Sequence, residues 1–173
     1  MGTGKRVLVS ALMVSGAAIG MWAAHEGFTE KAVRPVKGDA WTYGHGSTVR
    51  PDGQPVRPDD TIAPAAALRL AIADLNGKQA TLRKCFGEAT ALYQHEWDAY
   101  VDLAGNVGAN AVCKSSIVAK LRAGDFDAAC RTIPAFNKVQ GKDCCLPKNK
   151  RFCGGVCTRR KGVEKLCLEG VYP

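Results

Sequence analysis

Glu26, Asp39 and Thr42 are the residues of this chain whose types and spacing could do chemistry, all within the run His25–Thr48. Glu26 is followed directly by Gly27. Asp39 ends the bend Pro35-Val36-Lys37-Gly38-Asp39, and Thr42 stands in the aromatic, glycine-rich run Trp41-Thr42-Tyr43-Gly44-His45-Gly46. Two carboxyl groups and a hydroxyl at separate points of one segment suit acid-assisted cleavage of a glycosidic bond. One carboxyl protonates the leaving oxygen, while a second polar partner delivers water or stabilises charge across the sugar. The acid must be held protonated, which a poorly solvated position favours. The second carboxylate must stay ionised, which a wetter loop favours.

The same stretch resembles the active-site signature of the T4-type phage lysozymes, glycoside hydrolase family 24: Glu-Gly, a gap, an Asp, a gap, then Thr with a Gly-x-Gly pattern. The similarity continues in Leu92–Tyr100, in Asn106-Val107-Gly108 and in Thr158-Arg159-Arg160, and so spans nearly all of the chain after residue 24. The family spacing from Glu to Asp lands on Pro35, which cannot move a proton; the nearest acid in the bend is Asp39, three residues before Thr42. The resemblance implies hydrolysis of the β-1,4 bond between N-acetylmuramic acid and N-acetylglucosamine in bacterial peptidoglycan, and with it host cell lysis. Glu26 would be the general acid, Asp39 the charge stabiliser and Thr42 the holder of water. Trp41, Tyr43 and His45 are candidate sugar contacts; their plainer readings are hairpin core for the two aromatics and a turn histidine for His45. Two rival functions remain. A lytic transglycosylase would use Glu26 alone, and a basic wall-binding or antimicrobial protein would use no catalytic group.

These residues need elements to position them. The resemblance implies an α+β, mainly helical lysozyme-like fold whose small β-hairpin forms one side of the active-site cleft. Trp41–Tyr43 favours a strand, Pro51-Asp52-Gly53-Gln54 a turn, and Pro55-Val56-Arg57 a returning strand. Helices follow. Thr61 and Pro64 open one whose periodic part is 66–75, with Cys85-Phe86 in a loop after it. Leu92, Trp97, Tyr100 and Leu103 share the inner face of another, which carries His95 and Glu96 as solvated or supporting residues rather than a metal pair. Ser115 and Asp125 cap the helices 116–122 and 126–133, and Thr158 caps a final helix, 159–168.

Eight cysteines in 173 residues point to disulfides in an oxidising compartment. Cys144, Cys145, Cys153 and Cys157 crowd a basic loop, and Cys85, Cys113, Cys130 and Cys167 make up the rest. Cys130 and Cys167 are the first pair expected. Zinc is the rival reading, but Cys144-Cys145 is adjacent rather than CxxC and no histidine lies nearby, so neither metal nor cofactor is expected. The net charge of +8 suits an anionic polymer. Base-reading motifs are missing, which argues against nucleic acid. A monomer is expected.

Val7–Ala24 is an uncharged run preceded by Lys5 and Arg6, the layout of an N-terminus held in the cytoplasm with the remainder exported. A cleaved signal peptide is one reading. Cleavage after Ala24 would leave Glu26 second from a frayed end, and the run is rich in Ala, Gly and Ser, hence weakly apolar. It resembles the signal-arrest-release segment of some phage endolysins. The expected organisation is a releasable anchor at 1–24 and a catalytic domain at 25–173, first tethered to the host inner membrane and then free in the periplasm.

Overall fold

A computed structural model describes residues 4–34 and 38–173. In chain order the elements are β1 (Val7–Leu8), α1 (Gly16–Glu26), β2 (Thr29–Val33), β3 (Thr42–Gly44), α2 (Pro64–Phe86), β4 (Ala91–Leu92), α3 (Gln94–Val107), α4 (Ala109–Cys113), α5 (Ser116–Arg122), α6 (Phe126–Cys130), β5 (Lys138–Val139), β6 (Lys142–Asp143) and α7 (Lys150–Glu169). The strands pair antiparallel as β1–β4, β2–β3 and β5–β6. This is the expected α+β, mainly helical fold. The chain forms two compact units, Met1–Ala18 with Lys78–Pro173, and Ile19–Gly77.

The larger unit is built on α3. Trp97, Tyr100 and Leu103 are fully buried on α3; Leu92, expected on the same helix face, is instead buried in β4, where it pairs with Val7. Phe86 meets Trp97 and Tyr100 edge-on, with ring centroids at 6.3 and 5.4 Å. The family motifs far apart in sequence converge here. Arg159 Nη2 donates to Asp102 Oδ1 at 3.0 Å, and buried Arg160 donates to Asn106 Oδ1 and to the Phe136 carbonyl. Asn106-Val107-Gly108 and Thr158-Arg159-Arg160 are thus two sides of the α3–α7 contact.

Ser115 and Asp125 cap α5 and α6, accepting from the amides of Ile117 and Ala128. The eight cysteines form four disulfides: Cys85–Cys113, Cys130–Cys167, Cys144–Cys153 and Cys145–Cys157. Three local expectations are corrected. Cys85-Phe86 is the last turn of α2 rather than a loop, because Leu75, Leu82 and Phe86 continue one buried stripe until Gly87 stops it at φ +91°. α6 ends at Cys130, and Ile133-Pro134-Ala135 forms a separate 3₁₀ turn. Thr158 is inside α7, which begins at Lys150; its hydroxyl donates to the Gly154 carbonyl one turn back.

The N-terminal run is held by side chains that read its backbone. Arg83 donates to the carbonyls of Val9 and Leu12, and Gln94 Nε2 to that of Met13 at 2.7 Å. The amide of Val14 donates to Gln79 Oε1 at 2.7 Å and that of Ser15 to Asp98 Oδ1 at 2.9 Å. Arg6 forms a two-pronged ion pair with buried Glu96 and lies over the rings of Tyr93 and Phe126. Glu96 is therefore a structural anchor rather than a solvated residue, and its hydrogen bonds hold the Arg6 guanidinium above its usual pKa.

The smaller unit centres on β2 and β3, with Val33 opposite Thr42 and Thr29 opposite Gly44. Its core is Ala32, Tyr43, Val56, Ile62 and Ala67, with Trp41 and Leu70 packed against it. Gly44 has φ +60°, and a Cβ there would stand 2.8 Å from the Cβ of Ala67. Only glycine fits both the backbone and the space. The partner of β3 is β2, not the expected returning strand 55–57; Pro55 makes only an isolated bridge to Val49. Having no amide hydrogen, Pro55 cannot extend a ladder.

Candidate active site

Glu26 is the last residue of α1. Gly27, at φ +70°, turns the chain out of the helix and into β2 within two residues. The Gly27 amide donates back to the Ala23 carbonyl at 3.0 Å, which closes the final turn. Glu26 therefore rides on a short, tightly specified corner. It is exposed, which corrects the expected poorly solvated position. The reason is local: α1 simply ends there, with Ala24, His25, Gly27 and Phe28 exposed beside it. Exclusion of water from this carboxyl would have to come from a bound glycan.

Thr42 opens β3, opposite Val33. Its hydroxyl donates to the Val33 carbonyl at 3.4 Å, a weak bond that leaves both oxygen lone pairs able to accept from water. Asp39 is exposed, in a bend three residues before Thr42. Pro35, Val36 and Lys37, the start of the bend in which it was expected, lie outside the described residues. Glu26, Asp39 and Thr42 all belong to the smaller unit.

The three candidate sugar contacts separate. Tyr43 is only 2 % exposed and takes the core position, where burial pushes its phenol pKa up. Trp41 is half-buried on the same core, with the Arg34 guanidinium 4.9 Å from its ring centre. A flat, partly open aromatic beside a cation can still stack on a sugar. His45 makes the local turn contact: its Nδ1 donates to the Gly27 carbonyl, while its ring lies 6.0 Å from Trp22 and 5.7 Å from Phe28. That bond ties the residue after Glu26 to the turn after Thr42. Sequence reasoning missed this link, as it missed the side chains that grip the backbone of residues 9–15. Neither leaves a periodic or motif-like trace.

Against this geometry the comparisons are specific. The phage lysozyme family profile matches residues 23–161, and the chain belongs to that family. An endolysin from Escherichia coli O157:H7 phage FAHEc1 is 25% identical, with a TM-score of 0.78 over 94% of this chain and 98% of that one. A point variant of P22 lysozyme is also 25% identical, with a TM-score of 0.75 over 91% and 99% of the two chains. The muramidase domain of SpmX from Asticaccaulis excentricus shares the fold at 20% identity, with a TM-score of 0.71 over 91% and 98%. No curated protein matches at a significant level. The chain is a lysozyme-type endolysin, a glycoside hydrolase.

Proposed function

We propose that this enzyme hydrolyses the β-1,4 bond between N-acetylmuramic acid and N-acetylglucosamine in peptidoglycan, with Glu26 as general acid. Asp39 stabilises the positive charge that develops at the sugar, and Thr42 holds the attacking water. The observation that carries this reading is the corner at Gly27. It sets Glu26 at a helix end, and the His45 bond ties that corner to the hairpin turn beside Thr42. Asp39 is an exposed carboxyl in the bend before β3, and unlike Pro35 it has a group that can carry charge. Glu26→Gln should lower turnover by about 10²- to 10⁴-fold with the fold intact. Mass spectrometry of fragments from purified peptidoglycan completes the test. Reducing N-acetylmuramic acid ends are expected, 1,6-anhydro ends would mean transglycosylation, and full lysis by Glu26→Gln would remove the assignment.

The reading extends to regulation. Val7–Ala24 first serves as a signal-arrest-release anchor in the host inner membrane, with the catalytic domain in the periplasm. It then leaves the bilayer and joins the fold. Two observations support this. None of the described helices is long and apolar enough to cross a membrane, so a membrane-spanning form of this run would differ from the folded one. In the fold the run is divided between β1 and α1, and its backbone between them is gripped by Arg83, Gln79, Gln94 and Asp98. Glu26 ends that same α1, so on this reading the acid takes its helix-end place only once the run has folded. The segment contains no cysteine, which makes the switch conformational rather than thiol-based. A monomeric enzyme satisfies the whole scheme.

A further inference from the structure

The hairpin β5–β6, the 3₁₀ turn Pro147–Asn149 and the start of α7 form a small lobe of the larger unit with almost no core of its own. Its buried centre is Cys144, Cys153 and Cys157, with Val139 and Val156 packed against them. Two disulfides, Cys144–Cys153 and Cys145–Cys157, hold it together across only 9 and 12 residues. What they hold outward is a combination of apolar and cationic side chains. Phe152 is 51% exposed and Leu146 43% exposed. Lys138, Lys142, Lys148, Lys150 and Arg151, in the same stretch of chain, are all exposed. The Lys142 ammonium lies 4.7 Å from the Phe152 ring centre, so cation and apolar ring share one patch.

The lobe carries little opposing charge. Asp143 is the acid of residues 138–157, and its Oδ1 is turned inward, accepting from Asn137 Nδ2 at 2.9 Å and the Cys145 amide at 2.8 Å. Five cations against this one carboxylate leave the lobe strongly cationic. A disulfide-stapled lobe that exposes an aromatic, a leucine and five cations combines the two signals that hold a protein on a charged bilayer: apolar insertion and attraction to anionic headgroups. A wall glycan or polyphosphate would meet the cations but offers no apolar phase for Phe152 and Leu146.

We propose that this lobe docks the enzyme on an anionic phospholipid surface, with Phe152 and Leu146 entering the interface and the lysines and Arg151 lying on the headgroups. The proposal stands apart from the roles of Glu26, Asp39 and Thr42. The test is sedimentation of the full-length, oxidised chain with phosphatidylglycerol–phosphatidylcholine vesicles and with phosphatidylcholine vesicles. The apolar run near the N-terminus is common to every protein compared, so differences between variants report the lobe. Binding to the anionic vesicles should exceed binding to the neutral ones by about 10-fold or more and fall with salt. Phe152→Ala with Leu146→Ala should weaken it by about 10-fold. So should the charge reversal Lys148→Glu with Arg151→Glu, which leaves the apolar pair in place. Unchanged vesicle binding in either double variant would overturn the proposal. So would equal binding to both vesicle types, or variants that lose binding to a purified anionic wall polymer while keeping it to vesicles.

Discussion

The two units of this enzyme are stabilised in opposite ways. The larger one contains all four disulfides and a set of buried polar side chains, Gln79, Glu96, Asp98, Asp102 and Arg160, each tied to partners distant in sequence. The smaller one has no cysteine, packs Ala32, Tyr43, Val56, Ile62 and Ala67 into one apolar cluster, and carries Glu26 and Asp39 exposed and Thr42 half-buried. All four cross-links lie in the unit that also contains residues 4–18. The smaller unit has no disulfide and is held by its apolar core together with local polar contacts, among them the His45–Gly27 bond and the Arg50 ion pairs with Asp52 and Asp60. Local stability is drawn from different sources in one chain, and binding elements come from the less constrained end.

The largest stability effect should come from the Cys130–Cys167 link, both of whose residues are about 1% exposed. It closes a span of 37 residues, for which chain entropy gives a stabilisation of about 4 kcal/mol. Replacing both cysteines with alanine should lower stability by that order. Hydrogen exchange should accelerate in α3 and α7, while β2 and β3 keep their protection. Equal loss across both units would mean that they unfold as one, and the contrast would fail.

The converse perturbation is Gly44→Ala. A methyl there meets the Ala67 Cβ and forces an L-residue into a left-handed conformation. Left-handed strain and overpacking together should cost about 3 kcal/mol. The loss should appear in β2 and β3 by hydrogen exchange and should carry lytic activity down with it. An alanine variant with normal thermal stability and normal lysis would show that the hairpin tolerates what its geometry forbids.

Arg83→Ala addresses the latch on the N-terminal run. It removes the donors to the Val9 and Leu12 carbonyls, and the guanidinium's contact with the Trp97 ring at 5.3 Å from its centre. Losing two charge-assisted bonds should cost about 2 kcal/mol. If seating of this run competes with the bilayer, the variant should also shift toward the membrane pellet in cells. A variant less stable in solution yet released as completely as the parent would separate the latch from the anchor and weaken the arrest-release reading.

What was legible in the sequence follows the same division. Helical spacing picked out Trp97, Tyr100 and Leu103 as buried, and they are. But α3 is buried all round from Glu96 to Ala104, with Glu96, Asp98 and Asp102 buried as well, which an amphipathic pattern does not announce. Ser115 and Asp125 announced their helices because capping is a local bond. The pairing of Cys130 with Cys167 was anticipated from their places on helices near the end of the chain. The partner of β3 was not legible. Thr29–Val33 is mostly exposed, so its pattern is that of a charged loop, and it is ordered by pairing with Thr42–Gly44 rather than by burial. The latch was invisible because Arg83, Gln79, Gln94 and Asp98 bind main-chain atoms of residues 9–15, and recognition of a backbone imposes no side-chain pattern. Of the candidate site, residue types were legible and exposure was not. Whether a helix-terminal acid is desolvated depends on what packs over it, and nothing in a linear spacing encodes that.

The finest difference to be tested lies within the larger unit. His95 stacks on Tyr93, with ring centroids 5.3 Å apart, and a Cβ on Gly170 would lie 3.3 Å from its Nδ1. Burial lowers its pKa below the ordinary histidine value; Glu96 and Asp98 pull the other way, and Arg6 adds to the lowering. A histidine that is harder to protonate when folded means the unfolded chain binds more protons as pH falls below about 6.5. Stability should therefore decline through that window down to the folded pKa, then level off with respect to this group. His95→Phe keeps a ring for Tyr93 while removing the titration. Denaturant melts at pH 7 and pH 5 should show a smaller loss for the variant than for the parent. An identical loss would mean that His95 is as easily protonated folded as unfolded. The acid sensitivity of the larger unit would then have a source other than His95.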